Sequence, residues 1–217
     1  MLFNALTSGN FASAIIILLY SLLGVMVAMT VHEWAHAFAA YKLGDPTAKN
    51  LGRMSLDPLK HMDPIGTICL VLFGFGWARP VMVNPRNLKN YRRDDAIISL
   101  AGPIMNLLTA FLFLGIYFLV LYTFGITNEI VLNILNYIIS INLGLGIFNL
   151  IPIPPLDGFH VINSIFIRRS FKVVEFLQRY GFIILLVLLA SGVLTNIMTV
   201  VENWILNGFF SFWGLFL

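Results

Sequence analysis

Two histidines four positions apart, His32 and His36, stand in the stretch Thr30-Val31-His32-Glu33-Trp34-Ala35-His36-Ala37-Phe38. On a helix that spacing puts both imidazoles on one face, one turn apart, where their nitrogens can converge on a single metal ion. Glu33 follows the first of them, so a carboxylate stands beside the ion's open position, placed to take a proton from water. The chemistry this pattern suits is metal-assisted hydrolysis. Five residues of this kind also arise by chance in soluble proteins, but here they close a long apolar run that begins near Phe11. Ionisable groups near a bilayer centre cost about 2.5 kcal/mol or more, which argues against an unpaired cluster without a function.

A catalytic zinc takes three protein ligands and leaves its fourth position to water. Asp157, in Phe148-Asn149-Leu150-Ile151-Pro152-Ile153-Pro154-Pro155-Leu156-Asp157-Gly158, is the carboxylate candidate. It suits a helix N-cap equally well, since an aspartate after a proline-rich stretch commonly accepts backbone N–H groups. His61 and His160 compete by chemistry, although a loop histidine is more often a surface or hydrogen-bonding residue. Asp57 and Asp63 lie in turn sequence, where aspartate is expected anyway. The amide of Asn149 could donate to an oxyanion or a substrate carbonyl, or else to a neighbouring helix. For Asn106 and Asn142 the interhelical role is the preferred one.

The elements that must position these groups are membrane spans. With 217 residues, 59% hydrophobic and only 11% charged, and a mean hydropathy of +0.89, the composition is that of a polytopic membrane protein. One cysteine, Cys69, excludes an intramolecular disulfide. Basic residues flanking spans account for the pI near 9.1 without a nucleic-acid partner. The expected fold is all-α, with about four full transmembrane helices over 11–41, 96–124, 129–150 and 180–200. Residues 64–77 are apolar but too short to cross and are expected to form a re-entrant or interfacial piece. Turn-rich sequence between 47 and 85 suggests small β segments. The aromatic tail after Glu202 reads as interfacial, and residues 1–217 read as a single membrane-embedded domain. All thirteen basic residues fall in two stretches, Lys42 to Arg93 and Arg168 to Arg179. Two spans separate these stretches, so both face one side. The positive-inside rule makes that side the cytoplasm, with the metal end of the first span toward it and the N-terminus outside.

With His32-Glu33-Trp34-Ala35-His36 on a membrane helix and Asn149 followed by Pro154-Pro155-Leu156-Asp157-Gly158, the chain resembles the site-2 protease family of intramembrane zinc metalloproteases. Supporting stretches are Gly76-Trp77-Ala78-Arg79-Pro80-Val81, Asn84-Pro85 and Ala101-Gly102-Pro103-Ile104-Met105-Asn106. The resemblance implies that Asp157 is the third zinc ligand, that one Zn2+ is held per chain, and that Asn149 acts in the transition state. It implies a compact member, without the PDZ or CBS domains that many relatives carry.

The expected activity is hydrolysis of peptide bonds within or near transmembrane segments of membrane-protein substrates, with Glu33 as general base. A helical substrate must unwind before attack, because its carbonyls are tied up in i to i−4 bonds. An extended edge between Thr47 and Asn84 could then receive it by strand addition. A zinc transporter would need ligands at several depths, and a catalytically silent scaffold would have no use for an intact ligand-plus-base set. Oligomeric state is not legible from the sequence.

Overall fold

The computed structural model describes residues 11–73, 77–166 and 171–216. Its first helix, α1 (Phe11–Lys42), has 32 residues and so runs about 48 Å, well beyond the roughly 30 Å of a hydrocarbon core. It stops where Gly44 takes a positive φ of 107°, a conformation other residues adopt only with strain. Two short helices follow, α2 (Thr47–Asn50) and α3 (Pro64–Phe73). Next come α4 (Tyr91–Phe118), prolonged by a π-helical turn over Leu119–Thr123, and α5 (Glu129–Asn149), whose N-terminus is capped by the Asn128 side chain. The chain closes with α6 (Asp157–Phe166), α7 (Phe171–Ala190) and α8 (Val193–Trp213).

Four helices are long and apolar enough to cross a membrane: α1, α4 with its π-helical turn, α5 and α7. Large apolar side chains such as Leu19, Leu112 and Val187 are exposed on their outward faces, as lipid-facing positions are.

Helices α1, α4 and α5 pack against one another and form the scaffold. Small residues bring them close. A Cβ on Gly24 of α1 would stand 2.9 Å from the Tyr137 carbonyl of α5, and one on Gly146 of α5 would stand 3.1 Å from the Pro103 carbonyl of α4. Ala110, Leu114, Ile139, Leu143 and Ile147 form the core between α4 and α5, and α8 covers it with Met198, Val201, Ile205, Phe209 and Trp213. The Trp213 indole donates to the Phe111 carbonyl at 3.0 Å, and Gly115, lacking a Cβ, leaves room for the ring.

Two expectations change in detail. The last candidate span, placed over 180–200, is by length and composition α7 over Phe171–Ala190, because the chain breaks at Ser191-Gly192, where Gly192 takes a φ of 73°. The aromatic tail, expected to be interfacial, lies in the C-terminal half of the 21-residue helix α8, which packs on α4 and α5 and is not among the four helices apolar enough to cross. Between 47 and 85 the small β segments come down to one isolated antiparallel bridge among the described residues, Met62 with Ala78. Backbone N–H groups there bond side chains of the scaffold instead: Val81 donates to Glu33 and Asn84 to Asp45. The apolar piece at 64–77 contains the 10-residue α3, which lies against α1. Residues 74–76 of that piece lie outside the described residues.

Candidate metal centre

His32 and His36 lie buried on one face of α1, with their Nε2 atoms 3.0 Å apart. Asp157 comes to them from the first turn of α6, its Oδ2 3.1 Å from Nε2 of His32 and 3.3 Å from Nε2 of His36. The next residue has to be small. A Cβ on Gly158 would collide with the carbonyl of Leu150 and stand 2.7 Å from that of Ile151, so α6 starts hard against the end of α5.

The other ring nitrogens fix the tautomers. Nδ1 of His36 lies 2.7 Å from the Ile98 carbonyl, an acceptor only, so Nδ1 carries the proton and donates it. Nδ1 of His32 lies 2.6 Å from Oδ1 of Asn106. The orientation of that amide is set by its other end, where Nδ2 donates to the Ala28 carbonyl at 2.9 Å and to Oδ1 of Asn142 at 3.0 Å. Asn142 in turn donates to the Ile138 carbonyl. With Nδ1 of each ring held in this way, a neutral imidazole at either position presents a bare Nε2 lone pair to the other ring and to the Asp157 carboxylate.

Three electron-rich atoms facing one another repel unless a cation sits among them. The buried Oδ2 of Asp157 accepts no hydrogen bond. Two imidazole nitrogens and one carboxylate oxygen, lying within 4.8 Å of one another, are a donor set that suits zinc and leaves a coordination position open. Among the described residues no second cluster of this kind occurs. Gly102 of α4 makes room for it, because a Cβ there would stand 2.5 Å from Nε2 of His36 and 2.7 Å from Cε1 of His32.

Glu33, also buried, lines the same cavity of about 1380 Å³ as both histidines and Asp157. Its Oε2 accepts the Val81 N–H at 3.1 Å, which holds the carboxylate with a backbone group. The segment carrying Val81 is tied down at Asp45, just beyond α1. That carboxylate accepts from Thr47 Oγ1 at 2.5 Å, from the Asn84 N–H at 2.7 Å and from Asn87 Nδ2 at 2.7 Å. Burial pushes the Asp45 carboxyl up, but the donors of Thr47, Asn87 and Asn84 outweigh it and leave it below the usual carboxylate range.

Comparison with known proteins agrees with this geometry. The sequence model of peptidase family M50 matches residues 20–130 and 122–188, most of the chain. The chain belongs to peptidase family M50, the site-2 protease family. A Bacillus subtilis member, "Putative zinc metalloprotease YwhC", is 41% identical over 79% of this chain and 80% of its own length. Two proteins named "Putative zinc metalloprotease Rip2" are more distant. The Mycolicibacterium smegmatis one is 26% identical over 88% of this chain and 73% of its own, and the Mycobacterium tuberculosis one 27% over 85% and 71%. No solved structure matches the chain.

For this M50 chain the structure brings His32, Glu33, His36 and Asp157 to one cavity and leaves the rival histidines out of the cluster. His61 is fully buried in the loop before α3, with Nε2 2.6 Å from the Ser55 carbonyl. His160 donates to Asp95 at 3.1 Å, and that hydrogen bond holds its pKa above the ordinary imidazole value against the opposing effect of burial. Asp57 and Asp63 cap turns, accepting from the N–H groups of Leu59 and Gly66. Asn149 lines the cavity, and its amide donates to the Leu145 carbonyl one turn back at 3.0 Å. Asn106 and Asn142 do join helices, as expected, but Asn106 also orients His32. The sequence signal for that second role is the four-residue spacing of Gly102 and Asn106, which turns a bare backbone and an amide to the same side of an apolar helix.

Proposed function

We propose that this M50 chain is an intramembrane zinc metalloprotease that hydrolyses peptide bonds within or near transmembrane segments of membrane proteins. The observation that carries this reading is the set of bare Nε2 atoms and the orphaned Asp157 oxygen, converging beside Glu33 in a cavity walled by spanning helices. His32, His36 and Asp157 would hold one zinc ion. When bound, zinc supplies Lewis acidity, polarising the scissile carbonyl and lowering the pKa of water at the site from about 15.7 toward roughly 7.

The chain's own residues do the rest. Glu33 accepts a proton from the attacking water and returns it to the leaving amine. Val81 fixes one oxygen of that carboxylate through its N–H, leaving the other free for the proton. Asn106 and the Ile98 carbonyl keep both rings in the tautomer that exposes Nε2. Asn149 reaches a developing oxyanion by exchanging its present bond to Leu145 for one to substrate.

The basic residues flanking α1, α4 and α7 support a cytoplasmic site and an external N-terminus. A single metal cluster among the described residues speaks against a transport pathway, which needs ligands at successive depths. The decisive experiment loads purified protein with zinc in lipid nanodiscs and follows cleavage of a single-span substrate beside a water-soluble peptide of the same sequence at the cut. Cleavage of the membrane substrate that stops on chelation and returns with zinc is the expected result. No cleavage of either substrate by zinc-loaded protein would overturn the proposal.

A further inference from the structure

Glu202 is an acidic residue in the middle of α8, and the catalytic reading gives it no task. It lines the same cavity as the metal cluster, together with Thr195, Met198 and Thr199. These four residues are spaced i, i+3, i+4 and i+7, so one continuous face of α8 forms that part of the wall. The carboxylate lies against bare backbone of α5, since a Cβ on Gly144 would stand 3.4 Å from its Oε1. Among the described residues it makes no ion pair or hydrogen bond, and the Thr199 hydroxyl one turn away is spent on the Thr195 carbonyl.

No basic partner within these helices is available to it. No Lys, Arg or His occurs in 1–31, in 94–159 or after Arg179, which covers the cavity-facing part of α1 below His32, nearly all of α4, and the whole of α5 and α8. Its depth follows from packing. Leu194 near the start of α8 packs with Leu156, next to Asp157, while Trp213 at the far end bonds Phe111 of α4. Eight residues separate Leu194 from Glu202, about 12 Å of helix. The carboxylate therefore stands toward the membrane interior from the metal cluster, a distance that roughly three or four residues of extended chain would span. An unpaired ionisable group at such a depth is costly and marks a functional contact.

We propose that Glu202 is a specificity subsite that accepts a lysine or arginine side chain of the substrate segment, three or four residues to the membrane-interior side of the scissile bond. The proposal names the substrate class and rests on the protease reading for what happens after binding. Substrates of this kind carry one cation within an otherwise apolar span, and Glu202 supplies the carboxylate that the lipid cannot.

Binding can be read apart from cleavage. Fluorescent single-span peptides carrying Lys, Leu or Glu in turn at successive positions are titrated against the full chain in zwitterionic nanodiscs. The Lys peptide is expected to bind wild type roughly tenfold more tightly than the Leu peptide at one or two adjacent positions, the scale of one charge-assisted hydrogen bond. Glu202→Gln should erase that preference, and Glu202→Lys should transfer it to the Glu peptide. Equal affinity of wild type for Lys and Leu peptides at every position, or a Lys preference that survives Glu202→Gln, overturns the subsite. A preference observed with peptides that are never cut leaves the subsite standing and counts against the protease.

Discussion

Asn106 and His32, 74 residues apart in sequence, meet at 2.6 Å and link α4 to α1 at the metal centre. The amide holds the ring by its rear nitrogen, so it sets which nitrogen faces the cluster. Outer partners of this kind typically govern metal affinity by about 10- to 100-fold. Asn106→Ala is expected to weaken zinc binding on that scale, measured by chelator competition. The same variant also leaves the Asn142 oxygen without its donor, so thermal stability should fall with it. Unchanged zinc affinity in a folded Asn106→Ala protein would show that the ring needs no such support.

Gly102→Ala introduces one methyl group where both imidazoles already stand within 2.7 Å. Alanine favours the helix by about 1 kcal/mol over glycine, so propensity alone predicts a more stable protein. Steric exclusion at the rings should win. The expected protein is helical and extractable but poor in metal and inactive, as zinc content and circular dichroism on one preparation would reveal.

Glu33→Gln keeps the size of the side chain and can still accept the Val81 N–H, but it has lost the ability to take a proton. Zinc should remain and cleavage should vanish. Asp157→Ala should lose both together, because it removes a ligand. Asn149→Ala should keep zinc and slow cleavage by on the order of 10² to 10³ if its amide serves an oxyanion. Wild-type turnover by Glu33→Gln would refute the proposed mechanism.

The Asp45 clamp makes a prediction about pH and about proteolysis. Its carboxyl is held below the ordinary range in the folded chain, so its contribution to stability is complete above the unfolded pKa and is lost as pH falls through the folded one. Asp45→Ala should loosen the 78–87 segment at neutral pH, and trypsin should then cut sooner after Arg86, the basic residue of that segment not followed by proline. In wild type the same loosening should appear only below the normal carboxylate range, read as faster amide hydrogen exchange of the segment in samples held at that pH. Equal digestion of wild type and variant at neutral pH would mean that the clamp does not hold the segment.

Topology mapping by cysteine labelling in a Cys69→Ser background should place Lys60 and Lys172 in the cytoplasm and Gly125 outside, as the distribution of basic residues demands. Opposite labelling at Lys60 and Lys172 would break the span arrangement.

The sequence carries the proposed ligand pair and base plainly, because a four-residue spacing on a helix is a local property. Asp157 needed more. Its residue type fits a helix cap equally well, and the helix does begin there, so only the meeting of α6 with α1 brings it to the histidines and makes it the proposed third ligand. Asn106 hid in the same way, since an asparagine on an apolar helix looks like interhelical glue whether or not a ligand sits at its other end. The break at Gly192 has a local signal in Ser191-Gly192, a turn-type dipeptide, but averaging hydropathy over a span-length window hides it. The β segments failed for a different reason. Beyond the Met62–Ala78 bridge, the backbone at Val81 and Asn84 bonds carboxylates on and just beyond α1 instead of another strand, and periodicity says nothing about which partner an N–H will find.

The two imidazoles rest on supports of different kinds. His36 leans on the backbone of Ile98, a group that every amino acid at position 98 would offer, whereas His32 leans on a side chain that can be exchanged. Genetic drift at position 98 therefore leaves one ligand untouched, while substitution at position 106 retunes the other. In this chain one proposed ligand therefore has a support independent of sequence and the other an adjustable one. Engineers seeking a different metal preference or a different hydrolytic rate should begin from position 106.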